Sequence, residues 1–579
     1  MKRKQDYFHF KKTVLCLTLT SCAFYAVEAM PALNQNQLPA STMPGVLNKI
    51  LTQKPPQLMR KSPTPNVPEQ ESSTLGPEAQ KIKFKLTKLI LEGNTAYTSA
   101  EIAKIYQDKI GKEISIAELQ DIIQNITNYY RNNGYILSRA ILPPQKVQNG
   151  VVKVQIIEGY ISGINVVGNP RGAKRMLAAY GKQVTYSRPL DISVLEKYLR
   201  LANEVPGAEV KGVLEPSKTN VGASDLNMVD NQSLINGSLS YNNYGTRYIG
   251  PQQLTASIAA NSIFRSGDVT RLSYSTIPGR PKEMKFYDVS YGTYLGSHGL
   301  NWILGKNLSE TLTGYTLQPL KVVGNAVTYY TRLTYPLIRK RDSSLTLDAG
   351  FDYLDSSVYS LGSLLYFDHI RSFYAGGNYN FADRYYGSNS IDIQAEHGIP
   401  GLGATTNTHS LTTSRLGGTA NFTKATLQLA RLQAIHGRFS AYFQFSGQYS
   451  FNALLASEQY SYGGSQLGRG YDPAEIIGDR GMGGSIELRA DFAPGKYLLQ
   501  AFEPYAFYDQ GVIWNIRKYA SVIRKQSAAS AGFGIRMTFN KYLSANLFIA
   551  QPITKQVAAL ELLGRGRLPR GFFSLVLSG

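Results

Sequence analysis

Hydrophobic and polar positions change period along the chain, and each change marks an element. Over 82–92 (IKFKLTKLILE) the alternation is period two, with Phe84, Leu86 and Ile90 on one face, and Gly93-Asn94-Thr95 ends the strand it predicts. Two helices follow. Thr98 with Glu101 and Ser115 with Glu118 each fit a capping box, in which hydroxyl and carboxylate satisfy free amides at a helix start. In the second helix Ile116, Leu119, Ile122, Ile123, Ile126, Tyr129 and Tyr130 recur at three- and four-residue steps, which makes one buried face. Asn133-Gly134 closes it, and strands at 135–142 and 151–158 complete a β-α-α-β-β order. The order repeats after about 75 residues: a strand at 161–168, a helix at 172–181, a helix capped by Ser193 with Glu196, and strands at 209–215 and 224–230.

From Asp230 onward the helical period gives way to alternation. Leu345, Leu347, Ala349, Phe351 and Tyr353 face one way, and Thr346, Asp348, Gly350 and Asp352 the other. Phe439, Ala441, Phe443 and Phe445 likewise oppose Ser440, Tyr442, Gln444 and Ser446. Segments of about ten residues, apolar on one side and polar on the other, suit a lipid-facing barrel with a wet interior. A soluble β-sandwich has the same period, but its core would reject the Asp and Gln of the polar faces. At about 22 residues per strand and connection, the 350 residues from Asp230 predict about 16 antiparallel strands.

Composition narrows the class. Charged residues make up 17%, with 53 Gly, 39 Tyr, two Trp and two Cys. This excludes a disordered chain and a disulfide scaffold, and no apolar run of about 18 residues predicts a spanning helix. The net charge of +21 is spread along the chain and broken by acids, so no nucleic-acid footprint is read from it. Residues 1–12 are basic, 13–27 apolar, and Val27-Glu28-Ala29 fits a cleavage site, which predicts a signal peptide over 1–29. Leu19-Thr20-Ser21-Cys22 offers a lipoprotein site as the rival reading. Both Cys, Cys16 and Cys22, fall in this leader, so the exported chain is expected to carry no thiol. Residues 30–80 read as a Pro-rich linker, with two helical turns of Pro44 to Leu51 inside it. The expected domains are then 81–159, 160–230 and a barrel over 231–579.

The string Tyr129-Tyr130, Gly134-Tyr135, Ser138, Ala140, Leu142-Pro143, Gln145, Gly150, Val154 and Glu158-Gly159 resembles the first polypeptide-transport-associated (POTRA) domain of two-partner secretion transporters. Three further motifs resemble the wider outer-membrane assembly superfamily. Gly468-Arg469-Gly470-Tyr471 matches its loop signature, with Gly468 in place of valine. Phe507-Tyr508-Asp509-Gln510-Gly511 is similar to its aromatic-Asp-x-Gly strand, and Gly532-Phe533-Gly534-Ile535-Arg536 to its Gly-Phe-Gly-x-Arg strand. The resemblance implies two POTRA modules in the periplasm ahead of an outer-membrane barrel. It implies that the Arg469 loop folds into the lumen and pairs with Asp509, with Tyr471 beside it, to hold or gate the pore. It also implies a plug helix ahead of the linker, for which only the stretch 46–54 is available. The last strand, Phe572 to Gly579, departs from the family by lacking a terminal aromatic.

No nucleophile elbow, P-loop or paired His-Glu motif is present, and the six His are scattered, so no catalytic residue, metal site or cofactor is expected. Asp352 and Asp355 are explained by strand alternation or loop position rather than as a catalytic pair. The expected activity is export of an unfolded exoprotein of haemolysin or adhesin type without nucleotide hydrolysis. Its cargo-binding residues would be Tyr130, Tyr135, Ile136, Ser138 and Ala140 on the first module, where a sheet edge accepts an extended chain. Expected partners are the exoprotein, outer-membrane lipid and, during biogenesis, the barrel assembly machinery. The alternatives are an assembly factor for outer-membrane proteins and a passive porin-like barrel.

Overall fold

A computed structural model of the chain describes residues 38–53, 55, 56, 58, 77–220, 222–495, 499–516, 519, 522–561 and 563–579. The expected signal peptide, the Cys22 site and most of the Pro-rich linker lie outside them.

Two small α/β layers precede the barrel. In the first, strand Val151–Ile157 lies between Lys88–Glu92, parallel to it, and Arg139–Ile141, antiparallel. The helix Ile116–Asn132 covers this sheet and buries Leu119, Ile122, Ile123, Ile126 and Tyr130. Both capping boxes form, at Thr98/Glu101 and Ser115/Glu118. The single strand expected over 82–92 is two. Lys83–Lys85 pairs with Glu113–Ser115, and the chain then turns at Leu86-Thr87, where the Leu86 amide donates to Lys112 and the Thr87 amide to Gly150. The strand expected at 135–142 shrinks to Arg139–Ile141, because Tyr135 to Ser138 form a turn closed by the Ser138 amide on the Tyr135 carbonyl.

The second layer repeats the topology, with Ala223–Asn231 between Tyr160–Asn169 and Val210–Pro216, and helices Lys174–Val184 and Ile192–Glu204 packed on it. The helix cap here is Asp191, not Ser193: its carboxylate already accepts from the Ser193 amide at 2.8 Å, which places Ser193 inside the first turn. This module docks on the periplasmic turns of the barrel. The Tyr294 hydroxyl donates to the Glu204 carbonyl at 2.8 Å, and Arg339 pairs with Glu204 at 2.7 Å.

Sixteen antiparallel strands, from Ile235–Asn242 to Arg570–Ser578, form one closed barrel. The last strand closes on the first through Ser574↔Asn242 to Ser578↔Ser238. A single wall with apolar residues exposed outside excludes the sandwich. Leu239, Ile258, Val289, Leu304, Phe443, Ile486 and Leu547 all point out exposed. On the strand Ser343–Ser360, Asp352 faces the lumen and Asp355 the outside, so the two carboxylates stand on opposite sides of the wall.

In the first module Glu158 ties the sheet to the loop before the first helix. It accepts from the amides of Thr95 and Ala96 at 2.7 and 2.8 Å and from the Tyr130 hydroxyl at 2.9 Å. Burial opposes its ionisation, but these bonds outweigh it and hold the carboxyl below the usual carboxylate range. Its stabilising contribution is therefore complete above the unfolded value of about 4.3 and is lost as pH falls through the lowered folded value. Thermal unfolding of the periplasmic part of the detergent-solubilised chain should show this acid limb, and Glu158→Gln should flatten it. Tyr130→Phe should cost about 1–2 kcal/mol at neutral pH.

Candidate functional site: the loop inside the barrel

A barrel of sixteen strands is too wide for side chains to fill, so the lumen is occupied by segments of the chain itself. The larger is the connection 451–479, which folds inward as a hairpin pairing Tyr460–Tyr462 with Ile476–Gly478. Gly468 turns its tip at φ +79°, where a β-carbon would also lie 2.7 Å from the Tyr462 ring.

Next to that turn Arg469 runs into the wall. Its Nε and Nη2 donate to the two oxygens of Asp509 at 2.9 and 2.6 Å, and its own amide and that of Gly468 reach Asp509 at 2.9 and 3.1 Å. Nη2 also reaches Ser485 Oγ at 2.8 Å, and Nη1 pairs with Glu487. The guanidinium lies 3.6 Å from the Phe507 ring centre. Arg469 is 4% exposed and Asp509 0%, so each charge depends on its partner. Burial works against the arginine's charge, but Asp509 and Glu487 outweigh it and hold its proton more firmly than usual. Around this pair the wall carries a ladder of alternating charge. Glu487 also meets Arg536 at 3.0 Å and Arg489 at 2.6 Å, while Glu503 pairs with Arg536.

The strand Lys525–Thr538 shows what its glycines do. Gly532, Gly534 and Arg536 face inward, while Phe533 faces lipid, 63% exposed. A β-carbon on Gly532 or Gly534 would lie 2.6 or 2.7 Å from the rings of Phe507 and Tyr505, so the glycines are seats for these rings. Gly511 seats Tyr462 of the hairpin in the same way. Tyr471 is buried, its hydroxyl 2.9 Å from the Ala529 carbonyl. Asp472 then joins the loop to the closing strands, with Arg570 at 2.6 Å and the Thr246 hydroxyl at 2.8 Å.

The second occupant is the helix Pro44–Thr52. Pro44 sits over Gly324, Met43 and Val46 pack on Val322, Val358 and Tyr366, and Asn48 donates to Asn307 at 2.9 Å. Lys49 reaches Glu458 of the inward loop at 2.6 Å. Glu458 also pairs with Lys424, which reaches Glu396 at 3.0 Å. Burial opposes ionisation of Glu458, but the two lysines hold its carboxyl below the usual range. The loop's base is fixed by Arg415 on Asp479, which also accepts the amides of Leu454 and Ile516 at 2.8 and 2.7 Å.

The structure thus brings Arg469, Gly470, Tyr471, Asp509, Gly532, Gly534 and Arg536 to one side of the lumen. It treats the first-module residues differently. Tyr130, Ser138 and Ala140 point inward and are buried, and Ile136 packs against the second module, so these side chains are not a free docking surface. Tyr135 is half-buried against Tyr97. Glu487 and Arg489 could have been found as inward positions by their alternation with the outward Ile486 and Leu488. Lys49, Arg415, Glu458 and Asp479 lie outside the barrel strands, where no period marks them.

An outward apolar band, a polar lumen and periplasmic POTRA modules define a transporter-type barrel of the outer membrane. The model of the haemolysin secretion/activation proteins ShlB/FhaC/HecB matches residues 222–537, that of the ShlB-type POTRA domain matches 84–159, and the chain belongs to this secretion family. The heme/hemopexin transporter protein HuxB of Haemophilus influenzae is 22% identical over 495 residues, 83% of this chain and 85% of that one. HuxB of strain 86-028NP is 25% identical over 277 residues, and this match spans about half of each chain, 47% and 49%. The solved structure of CdiB from Escherichia coli superposes with a TM-score of 0.70 at 20% identity, covering 90% of this chain and 94% of that one, and shares the fold.

Arg469→Ala should leave Asp509 buried without a counter-charge, while Glu487 keeps Arg489 and Arg536, loosening the docked loop by about 3–5 kcal/mol with the strand pairing intact. Arg469→Lys keeps the charge without the fork and should fall between. Planar-bilayer recordings should show larger, noisier currents in the order wild type, Lys, Ala, with protease cleavage of the loop in the same order. Wild-type currents from Arg469→Ala would contradict this role for the pair.

Proposed function

We propose that the chain exports an unfolded exoprotein across the outer membrane, capturing it through the periplasmic modules and passing it through the barrel. The observation that carries this reading is the lumen. Its inward wall positions include Asp352, Glu487, Asp509 and Arg536, and among the described residues a nine-residue helix and one inward loop, neither of them a barrel strand, occupy it. Withdrawing them leaves a polar channel wide enough for an extended chain. Family membership supports the same reading.

In it the helix Pro44–Thr52 is the plug and the Arg469–Asp509 pair holds the loop. The three-stranded module sheets offer backbone edges to the cargo, because the side chains of Tyr130, Ser138 and Ala140 are turned inward. In this reading the chain acts as a conduit rather than as an enzyme. Folding of cargo outside makes return unfavourable and removes the need for hydrolysis. Outer-membrane lipid surrounds the barrel, and the assembly machinery inserts it.

Cells carrying the intact chain, a chain lacking 81–230, or one lacking 44–52 separate the readings. One large exoprotein should vanish from the medium without 81–230, while other outer-membrane proteins assemble normally. Removal of 44–52 should retain export and raise bilayer conductance. Loss of outer-membrane protein assembly instead would mark an assembly factor, and loss of small-solute uptake alone a porin.

A further inference from the structure

The lipid-facing wall is not uniform. A groove of about 1120 Å³ runs down from the extracellular rim over Gly387–Gly398, Thr423–His436, Phe439–Ser450 and Arg480–Ala490. Ile393, Leu427, Phe445 and Met482 are its sides, and Ala425 and Gly447 keep its floor low. A β-carbon on Gly447 would lie 3.2 Å from the Phe445 ring, so the glycine leaves a hollow beside it. Any apolar slot in such a wall takes an acyl chain; the upper end of this one selects the headgroup.

There the register sets Arg480 opposite Trp514 and Trp514 opposite Lys525, all three on the outer face. Lys525 Nζ lies 6.0 Å from the Trp514 ring centre. Arg480 is held in place: its Nε donates to the Ser450 carbonyl at 2.9 Å, and its guanidinium lies 4.2 Å from the Tyr449 ring centre. Arg524 is exposed and lines the same groove, and none of the lining residues is acidic. Two other cations of this rim face carboxylates, Arg280 on Glu283 and Lys285 on Glu310, each at 3.0 Å. Among the described residues Arg480, Arg524 and Lys525 have no carboxylate within 4.0 Å. At the periplasmic end of the same face, by contrast, Arg431 is already paired with Asp383 at 2.5 Å.

We propose that this groove binds an outer-leaflet glycolipid that carries phosphates on its headgroup and several acyl chains, the chemistry of lipid A. Its phosphates sit on Arg480, Arg524 and Lys525, and one acyl chain lies along Leu427, Phe445 and Ile393. Arginine and lysine at an apolar edge, with an indole between them, match an anionic headgroup above hydrocarbon. The site rests on the barrel's place in the outer membrane and is independent of what the pore carries.

Native mass spectrometry of the full chain in non-ionic detergent tests it, with bis-phosphorylated lipid A, the same lipid dephosphorylated, and phosphatidylethanolamine as probes. Bis-phosphorylated lipid A should be retained about tenfold over either competitor. The triple variant R480A/R524A/K525A should bring that preference to about twofold or less, while R480K/R524K should keep most of it. Equal retention of the three lipids, or a preference that survives in the triple variant, would reduce the groove to ordinary annular lipid. Because the readout is lipid retention, a failure here leaves the export assay untouched, and the reverse holds as well.

Discussion

Inside a bilayer no water is available to a backbone amide or carbonyl, and that one constraint sets the rest of this molecule. Strands meet it only by pairing on both sides all the way round, so the last strand must find the first. It does so through five ladder pairs, Ser574↔Asn242 to Ser578↔Ser238, with Gly237 and Gly579 bonded both ways beyond them, where the neighbouring strands Leu543–Pro552 and Arg570–Ser578 share eight. The short closure is reinforced from within. Asp472 of the inward loop holds Arg570 on one side and Thr246 on the other, bridging the two ends of the barrel. The loop therefore belongs to the closure as well as to the lumen.

Closure at sixteen strands inverts the usual order of a protein. Apolar residues cover the outside and polar ones much of the inside, so the contents are held by local apolar clusters, such as Met43 and Val46 on Val322, Val358 and Tyr366, together with directed polar contacts. Charges taken from water there need partners. Arginine suits the task because its fork meets both oxygens of Asp509 while a third nitrogen reaches Glu487. Aromatic rings laid on inward glycines supply the remaining contact area. The pairs Tyr462 on Gly511, Phe507 on Gly532 and Tyr505 on Gly534 press neighbouring elements together where a larger residue would push them apart.

The wall was legible in the sequence because alternation is a periodic signal and the strand number follows from length. Both true capping boxes were legible for a similar reason, since their residues are fixed by spacing. The Ser193 cap misled because a carboxylate two residues earlier competes for the same amides, and spacing alone does not rank them. Tyr130, Ser138 and Ala140 carry the likeness to the family motif and are expected to meet cargo, yet Tyr130 also belongs to the buried helical stripe, and all three are buried. Arg469 and Asp509 were found by resemblance; from period alone Asp509 is one inward polar residue among many. Lys49, Glu458, Arg415 and Asp479 left no trace, because loops meeting inside a lumen obey no repeat.

The two occupants of the lumen differ in what their departure leaves behind. If the helix Pro44–Thr52 withdraws, Glu458 keeps Lys424, and Asn307 meets the water that enters; no buried charge is stranded. If the loop withdraws first, Lys49 and Lys424 lose Glu458, Asp509 and Glu487 lose Arg469, and Arg570 loses Asp472. Lys424 keeps Glu396 and Glu487 keeps Arg489 and Arg536, but Asp509 is left buried with no cation in a wall not yet flooded, which costs several kcal/mol. On the proposed export function the helix is thus the part that moves freely, and the loop moves only after water or cargo has entered beside it. Glu458 sits at the junction, a loop carboxylate that meets Lys49 of the helix and Lys424 of the wall.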